Sequence, residues 1–333
     1  MDIDFVITWV DGEDSEWIRE KEKYALEETG NTDNREKRFR SWDNLQYLFR
    51  GIEKNAPWVH KVYLITYGHY PKWLNLDNPK LVLIRHEDYI PSDWLPTFSS
   101  RTIDMNLHRI EGLSEHFVYF NDDYFIINRI TPELFFKKGL PCDTAIMEVW
   151  PRMNTREDPF WLAPLIDISF LNRYGRKRAS ILKNWIKWFS PRYGRKIFNN
   201  IVLFFFVRFT GFYSCHCPYS YLKSTYEDLW SIAPEELSKV CSHKFRQSDD
   251  MNHWIFSYWQ FYRGKFFPRS PKVSIKYEIS AATIDEISAA LKEKRRPLMC
   301  FNDNAEEDDF YELRERLNND LNRLYPEKSS FEI

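Results

Sequence analysis

Four short apolar runs, Phe5 to Val10, Val62 to Thr66, Leu81 to Ile84 and Phe117 to Phe120, punctuate the first third of the chain. Each is rich in Val, Ile, Leu or aromatic residues, as buried strands are. Between them apolar residues recur at helical spacing, at Trp42, Leu45, Leu48, Phe49 and Ile52 and again at Ile103, Leu107 and Ile110. Strand and helix in alternation predict an α/β fold built on a doubly wound parallel sheet. Ligands of such sheets sit beyond the carboxyl ends of the strands. Those ends read Asp11-Gly12-Glu13-Asp14, Tyr67-Gly68, His86-Glu87-Asp88 and Asn121-Asp122-Asp123, so three of the four carry carboxylates. Further on, the aromatic stretch Trp254 to Phe267 is expected in the core. Ile284 to Leu291 reads as a short amphipathic helix and Asp308 to Leu324 as a final surface helix.

The middle of the chain breaks this pattern. From Ile168 to Tyr226 there is no Asp or Glu, against eleven Lys and Arg, although the net charge of the whole chain is only -2. Trp185, Ile186, Trp188, Phe189 and the run Ile201 to Val207 are interleaved with the cations. Residues 168–212 thus read as a basic, aromatic-rich insertion. Its surface either faces anionic lipid or an anionic glycan, or is a solvated basic face over an ordinary core. Nucleic acid is not an expected partner, because no binding motif accompanies the charge.

A length of 333 residues with 43% hydrophobic and 29% charged side chains fits a single large globular domain. With only 10 glycines, a glycine-rich phosphate loop is not expected. The five cysteines show no repeated spacing and read as free thiols of a reducing compartment. The opening MDIDFVITWV has no basic stretch followed by an apolar one, and no apolar run approaches the roughly 20 residues that span a bilayer. Work in the cytoplasm is the expectation, with a peripheral place at the inner face of the plasma membrane left open.

Several segments carry groups suited to phosphate chemistry. Asp122 and Asp123 follow a strand and suit a cation or a substrate hydroxyl, although an Asx turn gives the same triplet with Asn121. Asn302-Asp303-Asn304 gathers three oxygen-bearing side chains in what reads as a loop after the apolar approach Leu298 to Phe301. His216, one residue before Cys217-Pro218, belongs in extended or turn geometry. Arg246 is one arginine among many. On residue chemistry alone these form a kit for phosphoryl transfer and nothing firmer: hard oxygen ligands, a cation for the phosphoryl charge and a proton acceptor.

Four blocks in order resemble the Stealth family. The first is Asp4-Phe-Val-Ile-Thr-Trp-Val-Asp-Gly-Glu-Asp14. The second runs from Arg38 to about Ile126 and holds Asn55-Ala-Pro-Trp-Val59, Trp73-Leu-Asn-Leu-Asp-Asn-Pro79, Leu95-Pro-Thr-Phe-Ser-Ser100, His108-Arg-Ile-Glu-Gly-Leu113 and Asn121-Asp-Asp123. The third joins His216 and Pro218 to His243-Lys-Phe-Arg246 and Asp249-Asp-Met251, and the fourth is Cys300-Phe-Asn-Asp-Asn304. That family includes bacterial capsular and exopolysaccharide phosphotransferases and the eukaryotic N-acetylglucosamine-1-phosphotransferase.

The resemblance implies one catalytic domain over residues 1–333 with a Rossmann-like, GT-A-like nucleotide-sugar transferase core. It implies transfer of a hexose-1-phosphate from a nucleotide-sugar donor to a glycan acceptor, with magnesium or manganese as cofactor. Carried over by motif position, Asp122, Asp123, His216 and Arg246 are catalytic. Thr8, Trp9, Asp11, Gly12 and Asn121 bind substrate, and Asp303 and Asn304 hold metal. Tyr219 stands where some relatives have a second histidine, so only His216 is carried over from that block. Two other classes compete: a metal-dependent glycosyltransferase that releases nucleoside diphosphate, and a non-catalytic carbohydrate- or membrane-binding protein.

Overall fold

The computed structural model describes residues 1–26, 39–150 and 162–333; Arg38, where the second block begins, lies outside them. The N-terminal half forms β1 (Ile3–Thr8), α1 (Ser15–Ala25), α2 (Leu45–Asn55), β2 (Val62–Thr66), β3 (Leu81–Arg85), α3 (Ser100–Met105), β4 (His116–Asn121), β5 (Tyr124–Ile126), β6 (Phe136–Lys137) and β7 (Leu140–Asp143). Four helices follow, α4 (Ala163–Tyr174), α5 (Lys177–Lys183), α6 (Trp185–Trp188) and α7 (Ile197–Phe204). The remainder is β8 (Tyr219–Leu222), α8 (Lys223–Ile232), α9 (Pro234–Ser242), α10 (Trp254–Arg263), β9 (Phe267–Pro268), β10 (Ser274–Ile279), α11 (Ile284–Glu293), β11 (Leu298–Asp303) and α12 (Phe310–Leu324).

The main sheet has the order β3-β2-β1-β4-β8. The four strands expected from the apolar runs are mutually parallel, and β8 closes one edge antiparallel to β4. β1 is buried along almost its whole length, which is why its sequence is continuously apolar rather than alternating. The exception, Asp4, accepts from the Lys61 and Ser114 backbone amides at 3.1 and 2.8 Å and pairs with His60 at 2.8 Å. It thereby ties the amino-terminal ends of neighbouring connections together. The expected Rossmann-like α/β fold is therefore present.

The first strand begins two residues earlier than the apolar run and ends at Thr8, so Trp9 and Val10 leave the sheet. A second sheet, β10-β11-β5, pairs β11 parallel to β10 and antiparallel to β5. It corrects the reading of Asn302-Asp303-Asn304 as a loop, because Asn302 and Asp303 belong to β11. Pairing on both sides imposes extended geometry on residues whose own preference is for turns. Residues 168–212 form the helical layer that ends α4 and contains α5, α6 and α7. It is built into the same apolar core through Trp188, Tyr193 and Leu203.

Candidate active site

Strand order reverses between β1 and β4, and at their carboxyl ends a cleft of about 720 Å³ opens. This is the switch-point position that the fold favours for ligands. Register places Thr8 beside Asn121. The Tyr119 hydroxyl donates to Asn121 Oδ1 at 2.7 Å and lies 3.3 Å from Thr8 Oγ1. Thr8, Trp9, Asn121, Asp122, Asp123, His216, Arg246, Asp303 and Asn304 all line the cleft.

Asp11 and Gly12 stand outside the cleft lining, in the turn that follows β1. Asp11 shapes that turn. Its amide donates to His69 Nε2 at 2.8 Å and its carboxylate accepts from the Glu13 amide at 3.0 Å. Gly12 is required by packing, since a Cβ there would stand 1.8 Å from the Phe39 carbonyl oxygen.

Asp122 and Asp123 form the turn that carries the chain from β4 in the main sheet to β5 in the second sheet. They are held between two sheets, and Asp123 O accepts from the Phe301 amide at 3.0 Å. Asp122 is exposed where it lines the cleft. Desolvation by the cleft walls raises its carboxyl to about 6. Asp123 is raised to about 7, first by burial and then by the Asp122 charge. Asp123 Oδ2 lies 3.3 Å from Cys300 Sγ, while Oδ1 is buried without a hydrogen-bond partner among the described residues. A buried, unsatisfied carboxylate oxygen in a cleft is costly unless a ligand completes it.

Across the cleft, Arg246 Nη2 donates to Ser100 Oγ at 2.5 Å, at the start of α3. Its loop is shaped by the buried Asp250. That carboxylate accepts from the Gln247 amide at 2.7 Å, pairs with His243 Nδ1 at 2.7 Å and lies 3.5 Å from Arg101 Nη1. His216 sits in a left-handed conformation, φ 39°, just before β8. Its Nδ1 is 3.0 Å from Ser214 Oγ, its carbonyl accepts from Ser274 Oγ at 2.9 Å, and its ring stacks near Trp254. Burial, aided by Lys276, lowers His216 to about 4, so the imidazole is neutral at pH 7.

Asp303 does not stand free for a metal. Arg40 holds both of its oxygens, Nε to Oδ2 and Nη2 to Oδ1, each at 2.5 Å, in a bidentate pair. Arg40 also donates to the Ala305 carbonyl at 2.9 Å. Asn304 is exposed at the end of β11. No group of three or more His, Cys, Asp or Glu side chains among the described residues is arranged to hold a metal. Asp122 and Asp123, which line the same cleft, carry oxygen donors of the kind a hard cation takes.

The cleft also contains groups that sequence reading missed: Arg40, Ser100, Asp104, His253, Lys276 and Glu278. Ser100 closes one of the quoted strings and His253 lies two residues past another, so proximity to the blocks was their only signal. Lys276 and Glu278 had a better one, the apolar-polar alternation of Ser274 to Ile279 that marks a half-buried strand. His253 is well defined chemically. The Tyr221 hydroxyl is 2.9 Å from both the His253 carbonyl, to which it donates, and Nδ1. Nδ1 therefore keeps its hydrogen and Nε2 carries the lone pair. Burial, with Arg246 and His216 nearby, lowers His253 to about 3.

Comparison with known proteins places the chain in a family. Residues 1–28, 38–142 and 215–263 match Stealth protein conserved regions 1, 2 and 3 respectively. The capsular polysaccharide phosphotransferase WcwK of Streptococcus pneumoniae is 39% identical over 99% of this chain and 98% of its own. The receptor polysaccharide phosphotransferase WefC of Streptococcus oralis is 38% identical over 99% of each chain. The exopolysaccharide phosphotransferase cps2G of Lactiplantibacillus plantarum is 35% identical over 99% of this chain and 96% of its own. Among solved structures, galactosyltransferase LgtC in complex with donor and acceptor sugar analogs aligns with 94% of this chain and 95% of its own, at TM-score 0.39 and 9% identity. On the conserved regions and on relatives that match it end to end, the chain belongs to the Stealth family of polysaccharide phosphotransferases.

Proposed function

We propose that the protein transfers a hexose-1-phosphate, specifically an N-acetylhexosamine-1-phosphate from a UDP-sugar, to a sugar hydroxyl. The product is a phosphodiester of a capsular or exopolysaccharide, and UMP is released. The observation that carries this reading is the meeting, in one switch-point cleft, of a carboxylate turn with an unsatisfied oxygen, an arginine and neutral imidazoles. Five buried free cysteines are at home in a reducing compartment, which favours the cytoplasm. No helix among the described residues is long and apolar enough to cross a membrane.

In this mechanism the acceptor oxygen attacks the sugar-bearing phosphorus and the bond to the UMP oxygen breaks. The anomeric carbon-oxygen bond is untouched, so anomeric configuration is retained. His216, neutral at pH 7, or Asp123, whose raised affinity for protons suits it to the same task, takes the hydroxyl proton. Arg246, fixed by Ser100, stabilises the charge gathering on the phosphoryl oxygens. Magnesium or manganese held by Asp122, and by Asp123 where His216 is the base, would neutralise the donor pyrophosphate; Asp303 could join them only by exchanging its guanidinium partner.

The test is product analysis with UDP-N-acetylglucosamine and a panel of sugar acceptors, with and without magnesium. Metal-dependent UMP is the expected product. Release of UDP instead would mean glycosyl transfer and would overturn the proposal.

A further inference from the structure

On α7 and its C-cap, Phe198, Ile201, Val202 and Phe205 recur at i, i+3, i+4 and i+7, the spacing of a single helix face. A helix packed on a core turns such a face inward. Here the opposite side is buried, through Asn200 and Leu203, and the apolar stripe faces outward with 42 to 70% of each residue exposed. Leu182, Trp185 and Ile186 make a second outward stripe, 59 to 69% exposed. Arg178, one turn before Leu182, donates to the Phe205 carbonyl at 2.8 Å and brings the two stripes together.

The platform beneath is fixed. Asn200 Oδ1 accepts from the Met147 amide at 2.6 Å, and its amide group donates to the Ala145 and Trp188 carbonyls at 2.8 and 2.6 Å. Lys177 closes the end of α7 by donating to the carbonyls of Leu203, Phe206 and Arg208. Around the stripes Arg176, Lys183, Arg192, Arg195 and Arg208 are exposed, with no acidic side chain between Ile168 and Tyr226.

We propose that this face docks the enzyme on an anionic lipid bilayer. The apolar and aromatic side chains enter the boundary between headgroups and acyl chains, and the arginines and lysine engage lipid phosphates. Charge and surface together select this occupant. A second copy would set the same basic face against itself. A soluble anionic glycan would satisfy the cations but leave the apolar stripes in water. The face is also joined to the cleft by one helix. α4 starts at the cleft, where Ala163 and Pro164 line it, and runs about 18 Å to the residues that open α5.

The experiment is co-sedimentation of the full chain with phosphatidylcholine vesicles, with and without phosphatidylglycerol. Binding is expected only to the anionic vesicles. Phe198→Gln combined with Phe205→Gln should weaken it by at least about tenfold, and so should Lys183→Gln combined with Arg195→Gln at low salt. All four positions are exposed, and an unchanged thermal unfolding curve would verify that the fold persists. The proposal fails if the native chain ignores anionic vesicles. It fails equally if binding survives both double variants, or if the aromatic variant only splits a dimer.

Discussion

Asp122 and Asp123 are adjacent in sequence but differ in surroundings. Asp122 meets water at the cleft mouth, whereas Asp123 carries an oxygen that nothing among the described residues satisfies. A residue placed this way serves ligand binding at the expense of the fold, so the two properties should separate on mutation. Asp123→Asn is expected to lower transfer by about 10²-fold or more while leaving the melting temperature equal or higher, by on the order of 2 °C. A variant that lost stability and activity in parallel would make Asp123 a structural residue. His216→Ala should leave a folded protein with turnover reduced by roughly 10² to 10⁴. Near-normal turnover would remove His216 from the reaction and shift attention to His253, whose Nε2 is the free nitrogen of a ring already oriented by Tyr221.

At the scale of elements, the site is a junction of two sheets and one braced loop. The brace is Asp250, and its pair with His243 raises the affinity of that imidazole for protons. A histidine raised in the folded state contributes stability that is complete below its unfolded value near 6.5 and is lost as pH rises through the folded value. The loop that presents Arg246 should therefore loosen as pH rises and His243 loses its proton. The expected sign is a Michaelis constant for the donor that climbs as pH rises through the titration of His243, and a flatter profile in His243→Gln. The parallel strands and their carboxylate-bearing ends are legible in the sequence because β1, β2 and β4 are buried on both faces and therefore read as unbroken apolar runs. The second sheet is not. β5 has three residues, and β11 ends in Asn302 and Asp303, which local preference assigns to a turn. The partner of Asp303 is equally hidden, because Arg40 lies 263 positions away.

Across the whole molecule, the C-terminal residues fold back onto the N-terminal third. Glu332 pairs with Arg50 through two contacts of 2.9 and 2.6 Å, Phe331 packs against Phe49, and the Ile333 amide donates to the Trp73 carbonyl at 2.9 Å. Removing Phe331 to Ile333 leaves the half-buried Arg50 charge uncompensated, and a loss of about 3 kcal/mol is expected in chemical unfolding. A loss below about 1 kcal/mol would show that the tail is an ornament. The Arg40–Asp303 pair has a consequence in time as well as in space. In chain order, β1 and β4 on one wall of the cleft long precede β11 on the other. At about 5 to 20 residues per second, a growing chain spends tens of seconds with β1 and β4 complete and β11 unmade. Until β11 emerges the nascent chain has only one wall of the cleft, and the Arg40–Asp303 pair can close only after residue 303 has been made.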